Sequence, residues 1–254
     1  MFNLSNRTAI VTGGASGIGL AISKLFARQG ATVHILELNE TAAIEAVAAI
    51  AVQSGKAFAH ACNVAVQAEV DAVFASIGPL DILVNNAGVA HVGTVETTAE
   101  ADFDRLFSVN VKGVYNCLRA AVPLMKQRGG GSILNMASIA ALVGLPDRFA
   151  YSMTKGAVLA MTIATAKDYV HDNIRVNSIS PARVHTPFVD GFLAKNYPGR
   201  EAEMFEKLSQ TQPIGRMATP DEIAHLALYL CSDEAAFITG TDYPIDGGFV
   251  KLNN

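Results

Sequence analysis

Cysteine is scarce in this sequence, and its placement disfavours several kinds of site. The 254 residues contain three cysteines, Cys62, Cys117 and Cys231, which lie far apart and form no CxxC motif. A disulfide scaffold or a zinc site made of cysteines is therefore disfavoured, and the pattern is typical of a reducing compartment. The six histidines form no HxxxH pair, and His60 close to Cys62 is simpler to explain as ordinary strand structure. We predict no bound metal.

The sequence also lacks an excess of positive charge and any long apolar run. A net charge of -4 and an isoelectric point near 5.8 argue against a dedicated nucleic-acid or anionic-membrane surface. The first residues contain no cationic segment followed by a long apolar core, so we predict no signal peptide. No segment approaches the roughly 20 apolar residues of a membrane span. We expect a soluble, cytoplasmic protein that binds neither nucleic acid nor membrane.

Short apolar segments alternate with longer segments of helical periodicity. The sequence predicts strands over residues 8–12, 32–37, 57–61, 81–86, 132–138 and 174–180. It predicts helices near residues 17–29, 40–54, 66–77, 99–127, 149–171 and 219–231. Strands this continuously apolar suit a parallel sheet that is covered on both faces. With no linker or repeat, we expect one α/β domain over residues 1–254 with a doubly wound sheet.

The stretch 182–212 is the least regular part of the chain. It contains Pro187, Gly191, Pro198 and Gly199 within about thirty residues. Irregular segments of this length inside a compact domain are usually functional. We predict a mobile lid here.

The segment TGGASGIG, Thr12 to Gly19, lies between the first predicted strand and the first predicted helix. Glycines let the backbone turn tightly and approach a pyrophosphate, while the helix N-terminus supplies amide donors and partial positive charge. In a β-α-β unit this is a fairly strong signal of a dinucleotide site, against the alternative of a merely flexible loop. We expect Gly13, Ser16, Gly17 and Gly19 to line the site.

Glu37 ends the second predicted strand, 18 residues after Gly19. A carboxylate there accepts hydrogen bonds from the adenosine ribose hydroxyls and repels a 2′-phosphate. Neither Ser16 nor Leu38 and Asn39 offers a cation for that phosphate, so NAD is favoured over NADP. The alternative is a surface glutamate at a strand end.

The NNAG motif, residues 85–88, follows the fourth predicted strand and indicates the same cofactor edge.

Tyr151 and Lys155 are one helical turn apart, directly after the strand that ends at Ser138. Ligands of open parallel sheets bind outside the carboxyl ends of the strands, so these three side chains can converge at a nicotinamide. A free tyrosine has a pKa of about 10, and a nearby ammonium lowers it towards a useful general base. Ser138 can polarise the reacting oxygen. The alternatives are a helix-capping Ser138 and an exposed Tyr-Lys pair.

Together with NVKG (110–113), PARVHTP (181–187) and IDGG (245–248), these motifs resemble the short-chain dehydrogenase/reductase family over nearly the whole chain. The resemblance implies a Rossmann-type NAD-binding catalytic domain and a homotetramer. It implies that Tyr151 is the general acid/base, that Lys155 activates it and binds the nicotinamide ribose, that Ser138 orients the substrate oxygen, and that Asn110 holds a proton-relaying water. It also implies further cofactor contacts, by Ile18, Asn63, Val64, Asn86, Ala87, Gly88, Val109, Tyr151, Pro181, Val184 and Thr186.

Two positions depart from the family pattern. Asn63 stands where many members have an aspartate that contacts the adenine amino group, so this contact keeps an acceptor oxygen but loses charge. The familiar Pro-Gly before the lid is Pro181-Ala182 here, and Arg183 follows it. This change can alter the hinge of the lid.

Arg148 lies at the expected start of the catalytic helix, three residues before Tyr151. A cation near a helix N-terminus opposes the macrodipole, and a broken local rule beside an active site indicates function. The segments RFAYSMTK, PARVHTP and YLCSDEAAFITG resemble the subgroup of type 2 hydroxybutyrate and 2-keto-3-deoxy-L-fuconate dehydrogenases. We hypothesise that Arg148 anchors a substrate carboxylate through its bidentate fork, against the alternative of a solvated arginine. Arg183 is a weaker candidate.

The leading interpretation is an NAD-dependent dehydrogenase of a small hydroxy acid or deoxy sugar acid. A 3-oxoacyl carrier-protein reductase would instead require NADPH and a basic docking patch. Glu37 argues against the use of NADPH. A non-catalytic dinucleotide-binding sensor is the third alternative. Such a protein could lose Tyr151, Lys155 or Ser138, and all three are present.

Overall fold

The computed structural model describes residues 2–252, except for the side chain of Asn196. Within this range seven strands form one parallel sheet in the order β3-β2-β1-β4-β5-β6-β7. The strands are β1 (Thr8–Thr12), β2 (Thr32–Glu37), β3 (Lys56–Ala61), β4 (Ile82–Asn85), β5 (Gly131–Met136), β6 (Ile174–Pro181) and β7 (Asp242–Ile245). The helices are α1 (Gly17–Arg28), α2 (Glu40–Ala51), α3 (Gln67–Ile77), α4 (Glu100–Leu106), α5 (Gly113–Arg128), α6 (Phe149–Tyr169), α7 (Pro187–Asn196), α8 (Glu201–Ser209), α9 (Pro220–Cys231) and α10 (Phe249–Leu252).

The sheet is covered on both faces because successive strand residues point to opposite sides. In β1, Val11 belongs to the core formed with α1, α2 and α9. Its neighbour Ile10 belongs to the core formed with α3, α5 and α6. Both residues are fully buried. This double burial explains the continuously apolar strand sequences, and it confirms the predicted doubly wound α/β fold.

The order in which successive strands are added to the sheet reverses at β1: β2 and β3 lie on one side of it, and β4 to β7 lie on the other. Strand β1 pairs in parallel with β2 on one side, where Thr12 lies opposite Leu36, and with β4 on the other, where Val11 lies opposite Val84. The loops that leave the carboxyl ends of β1 and β4 therefore diverge to opposite faces of the sheet. Such a switch point leaves a crevice in which ligands of open α/β sheets bind.

The prediction of an irregular stretch at 182–212 was wrong. This segment contains two helices, α7 and α8. Pro187 does not break structure here, because it occupies the first position of α7, where no backbone N–H is needed. Pro198 and Gly199 lie between the two helices. The mobility of this lid segment remains a prediction.

Two further elements differ from the sequence prediction. Strand β7 was missed because it is a short edge strand that contains a proline and is only half-buried. The single helix predicted over 99–127 is α4 and α5, joined by a π-helical segment at Phe107–Lys112. Among the described residues, no helix is both long and apolar enough to cross a membrane.

Candidate active site

The predicted motifs meet at one edge of the sheet. Strands β1, β4, β5 and β6 are parallel, so their carboxyl ends, at Thr12, Asn85, Met136 and Pro181, all face this edge. The glycine loop, the NNAG segment, Ser138 and the PARVHTP segment each follow directly from one of these ends. The topology therefore collects the motifs from four distant parts of the sequence.

The glycine loop packs closely, and Gly13 and Gly19 show how little room it leaves for side chains. Gly13 has a positive φ of 60°, and a Cβ at this position would lie 3.0 Å from the Ala87 Cα atom. A Cβ on Gly19 would overlap the carbonyl oxygen of Gly13. The Asn86 side chain fixes the same loop, because its Nδ2 donates to the carbonyl oxygens of Thr12 at 3.1 Å and Gly13 at 3.0 Å.

Thr12 is a positioning residue that the sequence analysis missed. Its Oγ1 accepts hydrogen bonds from the backbone N–H groups of Asn86 and Ala87, each at 3.0 Å. The hydroxyl thus ties the end of β1 to the NNAG segment beyond β4. The one available signal was a polar residue at the end of an apolar strand, and Thr12 is indeed buried.

The N-terminus of α1 fits a dinucleotide pyrophosphate. The helix begins at Gly17, and the side chain of its N-cap residue Ser16 makes no capping hydrogen bond. The donors of the first turn are therefore available to an anion, which the helix dipole also favours. Across this opening, Thr186 Cγ2 would lie 3.3 Å from a Cβ on Gly17. Thr186 and the glycine loop thus line opposite sides of the same space, where a cofactor would bind.

The predicted adenosine end lies beside β2 and β3. Glu37 is half-buried at the end of β2, and one of its carboxylate oxygens, Oε1, accepts from the Leu38 N–H at 2.9 Å. The Asn63 Oδ1 accepts from the Ala65 N–H at 3.0 Å, so this oxygen already has one partner. The other predicted contacts lie along the same carboxyl edge: Ile18 in α1, Val64 beyond β3, Val109 in the π-helical segment, Pro181 at the end of β6, and Val184 just beyond it.

Lys155 is buried, and its ammonium occupies the centre of the site. Its Nζ donates to the carbonyl oxygen of Met136 at 2.7 Å, and burial lowers the pKa of the ammonium to about 8. A Cβ on Gly88 would lie 3.7 Å from this Nζ and 3.3 Å from Asn110 Oδ1. The Lys155 Nζ also lies 5.8 Å from the centre of the Tyr151 ring. Asn110, Tyr151 and Lys155 are therefore neighbours in space.

The pKa of Tyr151 reflects burial and two neighbours other than Lys155, and the effect of Lys155 stays a prediction. Burial raises the pKa of the Tyr151 phenol in this structure. The influences that lower this pKa are a hydrogen bond with Ser138 and the charge of Arg148. Lys155 makes no hydrogen bond to the phenol among the described residues, because its ammonium donates to the Met136 carbonyl oxygen.

Ser138 has the capping role that the sequence left as an alternative, while its role toward the reacting oxygen stays a prediction. Its Oγ accepts from the Ala140 N–H at 3.2 Å, so it caps the short 3-10 turn Ile139–Ala141. The same side chain hydrogen-bonds Tyr151. Capping therefore holds the hydroxyl in place beside the phenol.

Asn110 lies in the π-helical segment between α4 and α5, and it is buried. Its Nδ2 donates to the Val89 carbonyl oxygen at 2.9 Å and to Thr154 Oγ1 at 3.1 Å. Its Oδ1 accepts from the Val89 N–H at 2.8 Å. Both amide N–H groups are thus occupied, and a water at this side chain would have to donate to Oδ1. Single π-turns inside helices are frequent at functional sites.

The two candidate substrate arginines are both half-buried at this edge. Arg148 is the N-cap residue of α6, as predicted, and its Nη1 donates to the carbonyl oxygen of His91 at 3.2 Å. Arg183 Nε donates to Thr211 Oγ1 at 3.1 Å. Burial and the charge of Arg148 both lower the pKa of Arg183, so the two guanidinium groups lie within electrostatic range of each other.

Comparison with known proteins identifies the family. Residues 13–250 match a family model described as enoyl-(acyl carrier protein) reductase. The chain is 40% identical over 252 residues to D-threitol dehydrogenase of Mycolicibacterium smegmatis, an alignment that covers 98% of this chain and 94% of that protein. The chain belongs to the short-chain dehydrogenase/reductase family. As a member, it is an oxidoreductase that uses a nicotinamide dinucleotide and acts on CH–OH groups.

Other short-chain dehydrogenases/reductases match over similar lengths. Identity to 2-keto-3-deoxy-L-fuconate dehydrogenase of Xanthomonas campestris is 37% over 247 residues, which cover 97% of this chain and 81% of that protein. The fold superposes on L-sorbose reductase of Gluconobacter frateurii, solved with NADPH and L-sorbose, with a TM-score of 0.94, 33% identity and 99% coverage of each chain. These relatives confirm the predicted fold and enzyme class, and they include an enzyme that binds NADPH.

Gly19→Ala tests the close packing of the cofactor loop. The added Cβ would overlap the Gly13 carbonyl oxygen, so the loop must shift away from its native position. Overpacking of this kind costs about 1–3 kcal/mol, which corresponds to a loss of about 5- to 150-fold in NADH affinity if it falls on the bound loop. A fluorescence titration with NADH measures this loss. Gly144→Ala is the matched control, because nothing lies within 4 Å of its added Cβ; equal affinities for the two variants would contradict the packing argument.

Proposed function

We propose that the protein transfers a hydride between NAD and a secondary alcohol or ketone that carries a carboxylate, namely a small hydroxy acid or a deoxy sugar acid. The observation that carries this proposal is Arg148, which is held at the start of α6 by the His91 carbonyl oxygen. Its charge acts on the Tyr151 phenol, so a carboxylate bound there would sit close to the reacting centre. The resemblance to 2-keto-3-deoxy-L-fuconate dehydrogenase supports an acid substrate.

In the proposed mechanism, Tyr151 takes the hydroxyl proton of the alcohol or returns it to the ketone oxygen. The hydrogen bond from Ser138 to the phenol offsets part of the cost of forming a phenolate in a buried site. Once substrate is bound, the single Ser138 O–H would donate to the reacting oxygen instead of the phenol and keep that oxygen in line with the phenol. The nicotinamide, when bound, accepts or supplies the hydride.

Lys155 and Asn110 serve the proton path in this proposal. The Lys155 ammonium binds the nicotinamide ribose and, with a pKa of about 8, can exchange its proton near neutral pH. Asn110 would hold a relay water through its Oδ1, because its two N–H groups already donate to Val89 and Thr154. Lys155 would hold the nicotinamide ribose, and Lys155 and Asn110 would together return the proton of Tyr151 to solvent.

We propose NAD rather than NADP as the cofactor. The carboxylate of Glu37 at the end of β2 repels a 2′-phosphate, and Ser16, Leu38 and Asn39 supply no cation to bind one.

The proposed assembly is a homotetramer in the cytoplasm, as the family resemblance implies, with residues 1–254 as one catalytic domain. The lid over 182–212 would close on the bound substrate.

A substrate panel tests the reaction. Wild-type enzyme is incubated with 3-hydroxybutyrate, 2-keto-3-deoxy-L-fuconate and the neutral polyol D-threitol, with NAD or NADP, and reduced cofactor is followed by absorbance. We expect an acid to be oxidised with NAD at a higher kcat/KM than D-threitol. Tyr151→Phe should lower kcat by about 100-fold or more, because it removes the acid/base hydroxyl. Tyr169→Phe, at the far end of α6, is the control.

Two results of this panel would contradict the proposal. Undiminished turnover by Tyr151→Phe would exclude the assigned acid/base. Failure of every substrate with both cofactors would favour a non-catalytic dinucleotide-binding sensor. In a separate assay, reduction of a 3-oxoacyl thioester with NADPH in preference to NADH would instead support the carrier-protein reductase.

Arg148→Ala tests the carboxylate anchor. Removing a charged hydrogen-bonding partner costs about 1.5–3 kcal/mol, so KM for acid substrates should rise by about 10- to 100-fold. KM for D-threitol should rise much less, which lowers the selectivity for acids. Arg28→Ala, an exposed arginine at the end of α1, controls for the loss of one positive charge. An unchanged KM for every acid substrate would remove the anchor hypothesis.

A further inference from the structure

Two histidines that lie 26 residues apart in the sequence meet on one face of the sheet. His34 lies in β2 and His60 in β3, and the parallel register places His34 opposite Phe58 and Leu36 opposite His60. Side chains two residues apart in a strand point to the same face. His34, Phe58 and His60 therefore share the face on which Leu36 joins the core formed with α3, α5 and α6.

The two imidazole rings make a direct nitrogen–nitrogen contact. His34 Nδ1 lies 2.9 Å from His60 Nε2, and the ring centres are 5.1 Å apart. A contact this short is a hydrogen bond, so at least one of the two nitrogens carries no proton. Burial, followed by the charges of His60 and Lys56, lowers the pKa of His34 to about 4, and burial also lowers the pKa of His60. Both rings are thus neutral at pH 7, and each offers one nitrogen lone pair.

The histidine pair can be reached from solvent, and part of it is held by packing. Strand β3 is at one edge of the sheet, and both histidines are only half-buried. The Phe58 ring stacks on the His34 ring, with the ring centres 5.2 Å apart and the planes inclined by 22°. On the other side of this stack, Lys56 Nζ lies 5.7 Å from the centre of the Phe58 ring. The stacking restricts the tilt of the His34 imidazole and leaves its edge towards His60.

The separation of the two nitrogens matches that of two adjacent ligands of one metal ion. Imidazole nitrogens bind such ions at about 2.0–2.1 Å. Two nitrogens that are 2.9 Å apart, each at this distance from an ion, subtend an angle of about 90° at the ion. Neighbouring positions of a square-planar or tetragonal Cu²⁺ or Ni²⁺ site have this angle, whereas tetrahedral Zn²⁺ requires about 109°. The spacing therefore favours Cu²⁺ or Ni²⁺ over Zn²⁺.

We propose that His34 Nδ1 and His60 Nε2 together bind one divalent transition-metal ion, with Cu²⁺ preferred and water at the remaining positions. On binding, the proton shared between the rings moves to the other nitrogen of its own ring, and both rings turn so that their lone pairs point to the ion. No group of three or more His, Cys, Asp or Glu side chains is placed to hold a metal among the described residues. The site thus has two protein ligands. Spacing along the chain could not reveal it, because the ligands come from different strands.

The proposed metal site is separate from the catalytic centre. Lys155 bonds to the end of β5, and strands β1 and β4 lie between β5 and β2 in the sheet. An ion on the histidine pair would instead join β2 to β3, three residues before Glu37 on one strand and three residues before Asn63 on the other chain segment. Metal binding can therefore be measured whether or not the enzyme oxidises any substrate of the panel.

Calorimetric titration with CuCl₂, NiCl₂ and ZnCl₂ tests the site, in protein without an affinity tag and in a non-chelating buffer at pH 7. We expect wild type to bind one Cu²⁺ per chain, and Ni²⁺ more weakly than Cu²⁺. His34→Gln and His60→Gln should each weaken Cu²⁺ binding by at least about tenfold, because even the loss of a group that only supports a ligand costs about 10- to 100-fold. His225→Gln, which removes an exposed imidazole in α9, is the matched control and should bind as wild type does. No Cu²⁺ binding to wild type, or the same affinity in both pair variants, would overturn the site and leave an adventitious ion only.

Electron paramagnetic resonance of the wild-type Cu²⁺ complex tests the ligand set without relying on the folding of a variant. At one equivalent of Cu²⁺, we expect a tetragonal spectrum with splitting from two imidazole nitrogens, since both rings bind the same ion. Each pair variant that retains the wild-type melting temperature should lose the two-nitrogen signal, and His225→Gln should keep it. A wild-type spectrum with fewer than two imidazole nitrogens, or a two-nitrogen signal that persists in His34→Gln and in His60→Gln, would contradict the proposal.

Discussion

The buried ammonium of Lys155 is the interaction on which the rest of the site depends. A charged lysine is expensive to bury, and here one strong hydrogen bond to the Met136 carbonyl oxygen compensates part of that cost. The bond joins the middle of the catalytic helix to the carboxyl end of β5. It thereby fixes how far α6 lies from the sheet, and with it the depth of Tyr151. The lowered pKa of the ammonium is a direct consequence of the same burial.

A second constraint is that only glycine fits where the loop after β1 meets the loop after β4. Gly13 lies close to Ala87, and Gly19 lies close to the Gly13 carbonyl oxygen and the Asn86 side chain, so larger residues would push the first loop away from the NNAG segment. Thr12 and Asn86 then bind the two loops with four hydrogen bonds to backbone groups. Hydrogen bonds thus tie the edge together on the side of the predicted dinucleotide site, while Arg148 and Arg183 come from separate elements.

Much of this arrangement could be predicted from the sequence, and the reasons are local. Strands buried on both faces must be continuously apolar, which is why six of the seven strands described between residues 2 and 252 were found within two residues of their ends. The site motifs were recognised because glycines, Ser138 and the Tyr151-Lys155 pair follow strand ends directly. Parallel topology then requires that they share an edge.

The failures have equally physical causes. Strand β7 is half-buried and carries a proline, so it lacks the apolar pattern of the others. Helix α7 begins at Pro187, and α8 begins two residues after Gly199. Proline and glycine weaken the interior of a helix, but proline is tolerated at its first position and glycine before its start. The influences on Tyr151 depend on the three-dimensional positions of Ser138 and Arg148, which spacing along a helix does not reveal.

The most direct test of this account is the titration of Lys155 itself. In protein labelled with ¹⁵N-lysine, NMR would follow the Lys155 amine against pH, with Lys155→Met to assign the signal. The account predicts a pKa of about 8 in place of the ordinary 10.5. Between these values the folded state binds fewer protons than the unfolded state, so wild type should gain stability relative to Lys155→Met as pH rises above 8. A Lys155 pKa near 10.5, with a stability difference that does not change with pH over this window, would contradict a buried ammonium as the centre of the site.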